Sequence, residues 1–191
     1  DAAVRYAEQN DVLLVHAAGN DGKELTLFNN YPNDVRVKKG KPKGKGSRIW
    51  IEVGATSSSY DTGLPAGFSN YQDELVDVFA PGAGIYSAVP DDGYDTFGGT
   101  SMASPMVAGI AAPLRSYFPD LTARQVREII LESAVAVPLE VNRPGDEESV
   151  PFSSLSATGA IANAYTAVLL AEQTKGKKKR TAERDASLVK Y

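Results

Sequence analysis

The segment 98–109, Gly-Gly-Thr-Ser-Met-Ala-Ser-Pro-Met-Val-Ala-Gly, constrains the fold of this chain more than any other feature. Two adjacent glycines allow the backbone to turn sharply and to approach a ligand closely. Pro105 suits the first turn of a helix, where its missing N–H would have had no partner. The pattern therefore predicts a turn that leads into a helix with Ser101 at its mouth. Unpaired backbone N–H groups and the helix dipole favour negative charge there, so Ser101 is a candidate nucleophile.

Residues 99–105, Gly-Thr-Ser-Met-Ala-Ser-Pro, match the serine motif of the subtilisin-like serine proteases (subtilases) at every position. The segment resembles that family, and the resemblance implies that Ser101 attacks a peptide carbonyl. It differs from the nucleophile elbow of the α/β-hydrolases, because Ala103 stands where Gly-x-Ser-x-Gly requires a glycine. The alternative is a Gly/Ser-rich turn before an ordinary buried helix.

Upstream, residues 12–19 form an apolar run that ends in small residues and an Asn-Asp-Gly turn, which is typical of a parallel strand covered on both faces. In the resemblance, Asn20 is the oxyanion-hole asparagine. The chemistry agrees, because its amide and the backbone N–H of Ser101 could together bind a tetrahedral oxyanion. The alternative is that Asn20 only forms the turn. The resemblance also implies that one wall of the primary specificity pocket is lined by Ala17, Ala18 and Gly19.

Residues 53–87 form a third block, which is predicted to contain a strand, a turn and a second strand. Pro-Gly and Gly-Ala-Gly sequences mark its turns. It resembles the run of the subtilases that leads up to the serine, with a Val-Gly-Ala strand, a Phe-Ser segment and an Ala-Pro-Gly turn. Pro81 and Gly82 are interpreted as structural.

The family's catalytic base is not found in this sequence. A serine hydroxyl needs an adjacent base that a third group orients, and the subtilases supply an aspartate and then a histidine ahead of the serine. The single histidine, His16, lies inside the apolar run and is predicted to be a buried or half-buried strand residue. Asp61 belongs to an Asp-Thr-Gly triplet on the wrong side of Asn20 and is interpreted as a turn former. We therefore expect this chain to be the C-terminal portion of a larger catalytic domain. By itself it should be a poor protease or no protease.

Composition supports a folded domain, with 42% hydrophobic and 23% charged residues among 191. The net charge of −4 argues against a nucleic-acid partner, and no apolar run approaches the roughly 18 residues of a membrane helix. The absence of cysteine excludes disulfides and thiolate metal sites. No cofactor is expected; calcium is possible through the resemblance alone, because the carboxylates are too scattered for a ligand set. The family is usually exported, which favours a secreted, periplasmic or cell-envelope location.

The predicted division is a peptidase-domain portion at residues 1–171 and a basic tail at residues 172–191. Residues 37–47 form an inserted Lys/Gly-rich loop that lacks the spacing of a phosphate-binding loop. Both basic segments are predicted to be solvated and exposed. The alternative for either is binding to a nucleic acid or an anionic surface.

Helix signals lie after the serine motif. Thr122 and Gln125 form a capping box that opens a helix to about residue 133. Its spacing places four residues on one face: Val126, Ile129, Ile130 and Ser133. Residues 159–171 are predicted to form a last apolar helix, and Pro113 is predicted to disturb the helix of Ser101.

Together these features predict an α/β fold with a largely parallel sheet flanked by helices, its N-terminal part missing. The predicted function is that of a serine endopeptidase acting through an acyl-enzyme on Ser101. The competing hypothesis is a non-catalytic peptide-binding or scaffold domain that retains the motif without its base. A sheet edge left uncovered in such a chain is expected to promote self-association.

Overall fold

The computed structural model describes residues 2–35, 37–38, 41–42 and 46–177 of the chain. Its helices are α1 (Ala2–Gln9), α2 (Thr100–Tyr117), α3 (Ala123–Glu132) and α4 (Ala164–Gln173), with a 3₁₀ turn at Phe152–Ser154. Its strands are β1 (Leu14–Ala17), β2 (Val37–Lys38), β3 (Lys41–Pro42), β4 (Trp50–Thr56), β5 (Val78–Pro81), β6 (Ile85–Val89), β7 (Gly93–Phe97), β8 (Val135–Ala136), β9 (Glu140–Asn142), β10 (Ser149–Pro151) and β11 (Ala160–Ile161).

The main sheet has the strand order β1-β4-β5-β11-β8. Its first three pairings are parallel, and the short edge strand β8 is antiparallel to β11. In register, Val15 lies opposite Ile51, and Val53 lies opposite Val78. The predicted α/β fold with a largely parallel sheet is therefore confirmed. The hairpins β2–β3, β6–β7 and β9–β10 lie outside this sheet.

Strand β4 is the centre of the molecule, because all seven of its residues are buried. Side chains alternate between the two faces of a strand. Ile51, Val53 and Ala55 accordingly share one core with the inner face of α2 and with parts of α3 and α4. Burial of these side chains stabilises the fold by roughly 25 cal/mol per Å² of apolar surface removed from water. It is the main force that holds α2 against the sheet.

The opposite face of the sheet is covered mainly by loops and the β9–β10 hairpin. Phe79 of β5 lies on this face, and its ring centroid is 5.1 Å from that of Phe152. Val141 of β9 and Leu64 join the same buried cluster. Gly54 of β4 has to be a glycine here, since a Cβ on it would lie 2.6 Å from the Phe79 ring.

The predicted capping box is confirmed. The Thr122 hydroxyl accepts from the Gln125 backbone N–H, and the Gln125 side chain accepts from the Thr122 backbone N–H. The helix ends one residue before the predicted end, at Glu132. Val126, Ile129 and Ile130 are buried on its inner face, as expected from their spacing.

The prediction of a helix from residue 159 was wrong at its start. Ala160–Ile161 is a strand of the main sheet, where Ile161 pairs with Phe79 and Ala160 pairs with Ala136. The helix begins only at Ala164, because the Asn163 side chain accepts from the Thr166 N–H and caps it. Apolar residues in short runs suit a buried strand and a helix equally well, so periodicity could not separate the two.

Pro105 is not in the first turn of its helix, contrary to the prediction. The helix begins at Thr100 after the cap residue Gly99, so Pro105 falls in the second turn. Pro113 also lies inside α2, which nevertheless continues to Tyr117. Each proline lacks the N–H that would bond four residues back, at Ser101 and Gly109 respectively.

Two predicted segments lie partly outside the described residues. Of the Lys/Gly-rich loop 37–47, the backbone of 37–38 and 41–42 forms an antiparallel pair. Of the tail, residues 172–173 belong to α4, the Lys175 carbonyl accepts from Gln125 and the Lys177 N–H donates to it; residues 178–191 are not described. Within the described ranges, no helix combines the length and apolar character needed to cross a membrane.

Candidate active site

Ser101 is the second residue of α2 and is exposed. The start of this helix is tied to the sheet, because the Gly99 N–H donates to the carbonyl of Gly82 at 2.8 Å. Gly82 directly follows β5. A Cβ on Gly82 would lie 2.7 Å from the Ala55 Cβ and 2.9 Å from the Gly99 oxygen. The turn of Pro81 and Gly82, which we interpreted as structural, therefore brings Ser101 to the carboxyl edge of the sheet. The α/β proteins bind their ligands at this edge.

Asn20 lies directly beside this helix start, although it is 80 residues from Thr100 in sequence. Its Oδ1 accepts from the Thr100 backbone N–H at 2.8 Å and from the Thr100 hydroxyl at 2.9 Å. Two donors at one atom identify that atom as the amide oxygen. The Asn20 NH₂ group is thereby left to donate elsewhere, and it faces Gly99, where a Cβ would lie 3.3 Å from the nitrogen.

The first turn of α2 offers a second donor. The N–H groups of Met102 and Ala103 turn back to the Gly99 carbonyl, at 2.9 and 3.3 Å. The Ser101 N–H precedes them, in the part of the helix where backbone donors lack intrahelical acceptors. Two hydrogen-bond donors, the Asn20 amide beside Gly99 and the Ser101 backbone N–H, thus lie at the start of α2.

The segment 17–19 leads from the end of β1 to Asn20. Ala18 is buried, and its N–H continues the parallel ladder to the Val53 carbonyl at 3.0 Å. Gly19 has a φ of 98°, which favours glycine, and its N–H donates to the Thr100 hydroxyl at 3.0 Å. The segment predicted to line the pocket is therefore bonded on one side to the sheet and on the other to the residue before Ser101.

Asn70 is a site residue that the sequence interpretation missed. Its Nδ2 donates to the Ala18 carbonyl at 2.9 Å, and its backbone N–H donates to the Gly19 carbonyl at 3.0 Å. Its Oδ1 accepts from the N–H groups of Asp21 and Lys23. This buried amide therefore holds the loop on both sides of Asn20. The only signal in the sequence was an asparagine directly after the Phe-Ser segment.

His16 contacts Glu52 and Trp50 rather than Ser101. Its Nδ1 is 2.9 Å from Glu52 Oε1, and its ring lies 4.9 Å from the Trp50 ring. Val15 packs with the α2 core, so the alternation of β1 directs His16 to the opposite face of the sheet. The prediction of a half-buried strand residue is confirmed, since 22% of the His16 side chain is exposed.

An apolar groove of about 410 Å³ lies between the β6–β7 hairpin and the first turns of α2. Phe97, Met102 and Met106 line it together with Ile85 and Val89. Such a groove can accept apolar side chains of an extended peptide.

The groups with raised carboxyl pKa values lie away from this edge. Burial raises the pKa of Asp77 to about 6, although the Arg127 guanidinium lowers it. Burial likewise raises the pKa of Asp34. Across the residues that the structure describes, no cluster of three or more histidine or carboxylate side chains could hold a metal ion.

Comparison with known proteins gives a consistent result. Residues 1–179 match the sequence model of the subtilase family, Peptidase_S8. The chain is 39% identical over 134 residues to alkaline serine exoprotease A of Vibrio alginolyticus, covering 70% of this chain and 22% of that protein. It is also 39% identical over 132 residues to subtilisin DY of Bacillus licheniformis, covering 69% of this chain and 43% of that protein.

Among solved structures, a cold-adapted subtilisin-like serine proteinase superposes with a TM-score of 0.59 at 33% identity. The alignment covers 81% of this chain and 50% of the other. The A-subunit of an AB5 toxin from E. coli superposes with a TM-score of 0.66 at 26% identity, over 88% of this chain and 53% of that one. The chain thus spans about half of these solved chains and less than half of the two relatives' full lengths.

Proposed function

Because the chain belongs to the subtilase family, we propose that it supplies the nucleophile and the oxyanion-binding groups of a subtilisin-type serine endopeptidase. The observation that carries this proposal is the pair of hydrogen bonds from Thr100 to Asn20 Oδ1. They fix the Asn20 amide so that its NH₂ group faces Gly99, two residues before Ser101. A donor held in place before the reaction costs no reorganisation when negative charge develops, which makes it effective in catalysis.

In the proposed reaction, Ser101 Oγ forms a bond to the carbonyl carbon of the scissile peptide. The carbonyl oxygen becomes the oxyanion and accepts from the Asn20 amide and the Ser101 N–H. The tetrahedral intermediate then breaks its C–N bond, the amine leaves with a proton, and an acyl-enzyme on Ser101 remains for water to hydrolyse. The segment of Ala17, Ala18 and Gly19 would line the pocket for the side chain before the cleaved bond.

The proton of Ser101 has to pass to a base, and His16 does not supply one from its position against Glu52. In this proposal the family's aspartate and histidine come from residues outside the 191 present, and the chain by itself is inactive. A protein or peptide substrate and an exported location follow from the family. One relative, from Thermus, is named an extracellular serine proteinase.

The test uses the protein encoded by the longest reading frame that contains this chain. It measures labelling of that protein by a probe and its hydrolysis of a peptide. A fluorophosphonate probe should label the wild type, and a quenched peptide should be cleaved. Ser101→Ala should lose both, whereas Ser116→Ala, an exposed serine on the same helix, should keep both. Cleavage that survives Ser101→Ala would contradict the assignment of the nucleophile.

The second candidate is a non-catalytic peptide-binding domain. It is favoured by one observation, that the only histidine of the chain is bonded to Glu52 rather than to Ser101. Under this alternative, the longest reading frame would bind an unlabelled peptide in calorimetry yet show neither probe labelling nor turnover. Binding without turnover therefore distinguishes the two functions.

A further inference from the structure

A hydrogen-bonded cluster around one buried carboxylate lies behind the segment 17–19, on the face of the sheet away from α2. At its centre is Glu52 of β4, whose side chain is 7% exposed. Its carboxylate contacts three donors: His16 Nδ1 at 2.9 and 3.1 Å, Trp50 Nε1 at 2.8 Å and Asn30 Nδ2 at 2.9 Å. Both carboxylate oxygens therefore have partners within the protein.

Asn30 connects this carboxylate to the pocket segment. Its Nδ2 lies 3.2 Å from the Ala17 carbonyl and 3.1 Å from the Ala18 carbonyl, in addition to the contact with Glu52. A carboxylate is a charged acceptor and makes stronger hydrogen bonds than a neutral one. The bond to Glu52 consequently fixes the rotation of the Asn30 amide through one of its two N–H groups. The other N–H group is shared between two successive carbonyls of the segment.

A fully apolar residue at position 52 would suit a central strand better. The other buried positions of β4 are mainly apolar, and a buried carboxylate carries a desolvation cost that hydrogen bonds only offset. Stability alone therefore does not account for the arrangement. What the carboxylate adds is orientation, because it aligns three donors from β1, β4 and the loop that contains Asn30.

We propose that Glu52 is a positioning residue for substrate binding: acting through Asn30, it holds the Ala17 and Ala18 carbonyls and so sets the wall of the specificity pocket. This inference rests on the proposed function, which assigns the pocket to residues 17–19. Asn20 is held separately by Thr100. Loss of Glu52 should therefore disturb substrate binding more than the oxyanion hole.

Glu52→Gln tests the proposal at nearly constant volume. Glutamine has one acceptor oxygen and an NH₂ group, so it cannot accept from His16, Trp50 and Asn30 together. Asn30→Ala removes the relay while leaving Glu52 its bonds from His16 and Trp50, and it serves if Glu52→Gln folds poorly. The matched control is Glu128→Gln, a more exposed carboxylate paired with Arg124 on α3.

The first measurement is made on the 191-residue chain by ¹H–¹⁵N NMR. Trp50 is the only tryptophan, so its indole N–H gives one resonance that reports the bond to Glu52 directly. We expect Glu52→Gln to shift this resonance and the amide resonances of Ala18 and Gly19, and Asn30→Ala to shift the latter two. Glu128→Gln should shift none of them. Unchanged Ala18 and Gly19 resonances in both folded variants would overturn the proposal.

The second measurement is peptide hydrolysis by the protein that the longest reading frame containing this chain encodes. The wall binds a side chain equally in the ground state and in the transition state, so its loss should raise KM and leave kcat unchanged. We expect Glu52→Gln and Asn30→Ala to raise KM about fivefold, the effect of roughly one hydrogen bond, with kcat within about twofold of the wild type. A KM equal to that of Glu128→Gln would overturn the proposal. If the wild type shows no Ser101-dependent hydrolysis, the proposed catalytic function fails, and the NMR result still decides whether Glu52 positions the segment.

Discussion

Asn20 and Thr100 are joined by two hydrogen bonds to one atom, the amide oxygen of Asn20. Thr100 also accepts from the Gly19 N–H, so three bonds connect the end of β1 with the first residue of α2. Ser101 follows Thr100 directly. The position of Ser101 and the orientation of the Asn20 amide are thus both determined by Thr100, through its backbone N–H and its hydroxyl.

Replacing Asn20 with alanine should lower kcat of the active reading frame about 10²–10³-fold, with little change in KM. The reason is that the amide donates most strongly to the oxyanion of the transition state, and the range itself was established on subtilisin rather than predicted independently. Steady-state kinetics on a peptide substrate measure the effect. A change in KM alone would place Asn20 in substrate binding instead.

Thr100→Val should also lower kcat, but by a smaller factor. It keeps the backbone donor to Asn20 and removes the hydroxyl that both donates to Asn20 and accepts from Gly19. Thr96→Val, on the exposed β7 strand, is the matched control and should leave kcat unchanged. Equal activity of the two variants would show that the Thr100 hydroxyl does not support the oxyanion donor.

The purified 191-residue chain should cleave no peptide measurably. Its one histidine is held against Glu52 and Trp50 on the face of the sheet opposite α2, so we do not expect it to act as a base for Ser101. A quenched peptide substrate at high enzyme concentration is the assay. Cleavage that disappears in Ser101→Ala would contradict this prediction.

The chain should self-associate through the β1 edge. Among the described residues, β1 pairs only with β4, and a groove of about 360 Å³ beside it is lined by Val12, Leu13 and apolar residues of α2. Unpaired strand edges next to apolar surface favour association. Sedimentation velocity should show dimers that Val12→Lys weakens. Val168→Lys, an exposed valine on α4, is the control and should leave them intact.

The half-buried Asp77 should make stability fall as pH rises from about 4 to about 6. Burial raises its pKa from 3.8 to about 6, so in this window the folded state binds more protons than the unfolded state. Its contribution is fully present below about pH 4 and is lost as the pH rises through about 6. Urea unfolding of the wild type and Asp77→Asn should give a difference in unfolding free energy that decreases over this range.

Asp146 provides the opposite sign in the same experiment. Hydrogen bonds from Arg143 lower the pKa of this exposed carboxyl, so its contribution is present above its ordinary pKa and is lost as the pH falls. The difference curve for Asp146→Asn should therefore rise with pH in the acid range. If the curve for Asp77→Asn were flat or rose likewise, the raised pKa of Asp77 would be refuted.

Asp21 is expected to give a modest preference for basic side chains before the cleaved bond. It follows Asn20 directly, is exposed, and its carboxylate lies 3.3 Å from Asn70 Nδ2. Exposed ion pairs contribute up to about 1 kcal/mol, so Asp21→Asn should reduce the ratio of Lys to Glu cleavage by no more than about fivefold. Profiling a peptide library with the active reading frame measures this ratio. An unchanged ratio would leave Asp21 only its role in the turn.

Local features were determined by the sequence alone. The capping box of Thr122 and Gln125, the strand that contains His16 and the serine motif at the start of α2 each depend on residues within a few positions of one another. Their hydrogen-bonding and burial preferences act over one helical turn or one strand, and these were predicted correctly. The family resemblance also rests on such contiguous residues.

Only the tertiary structure decided which of these features meet. The bonds of Thr100 to Asn20, of Asn70 to Ala18 and of Asn30 to Glu52 each join residues that are 22 to 80 positions apart. Ala160–Ile161 likewise depends on a distant partner. This apolar pair forms a strand because it pairs with the edge of β5. Local patterns carry no information on such partners, since the free energy of these contacts arises only when the sheet has brought distant segments together.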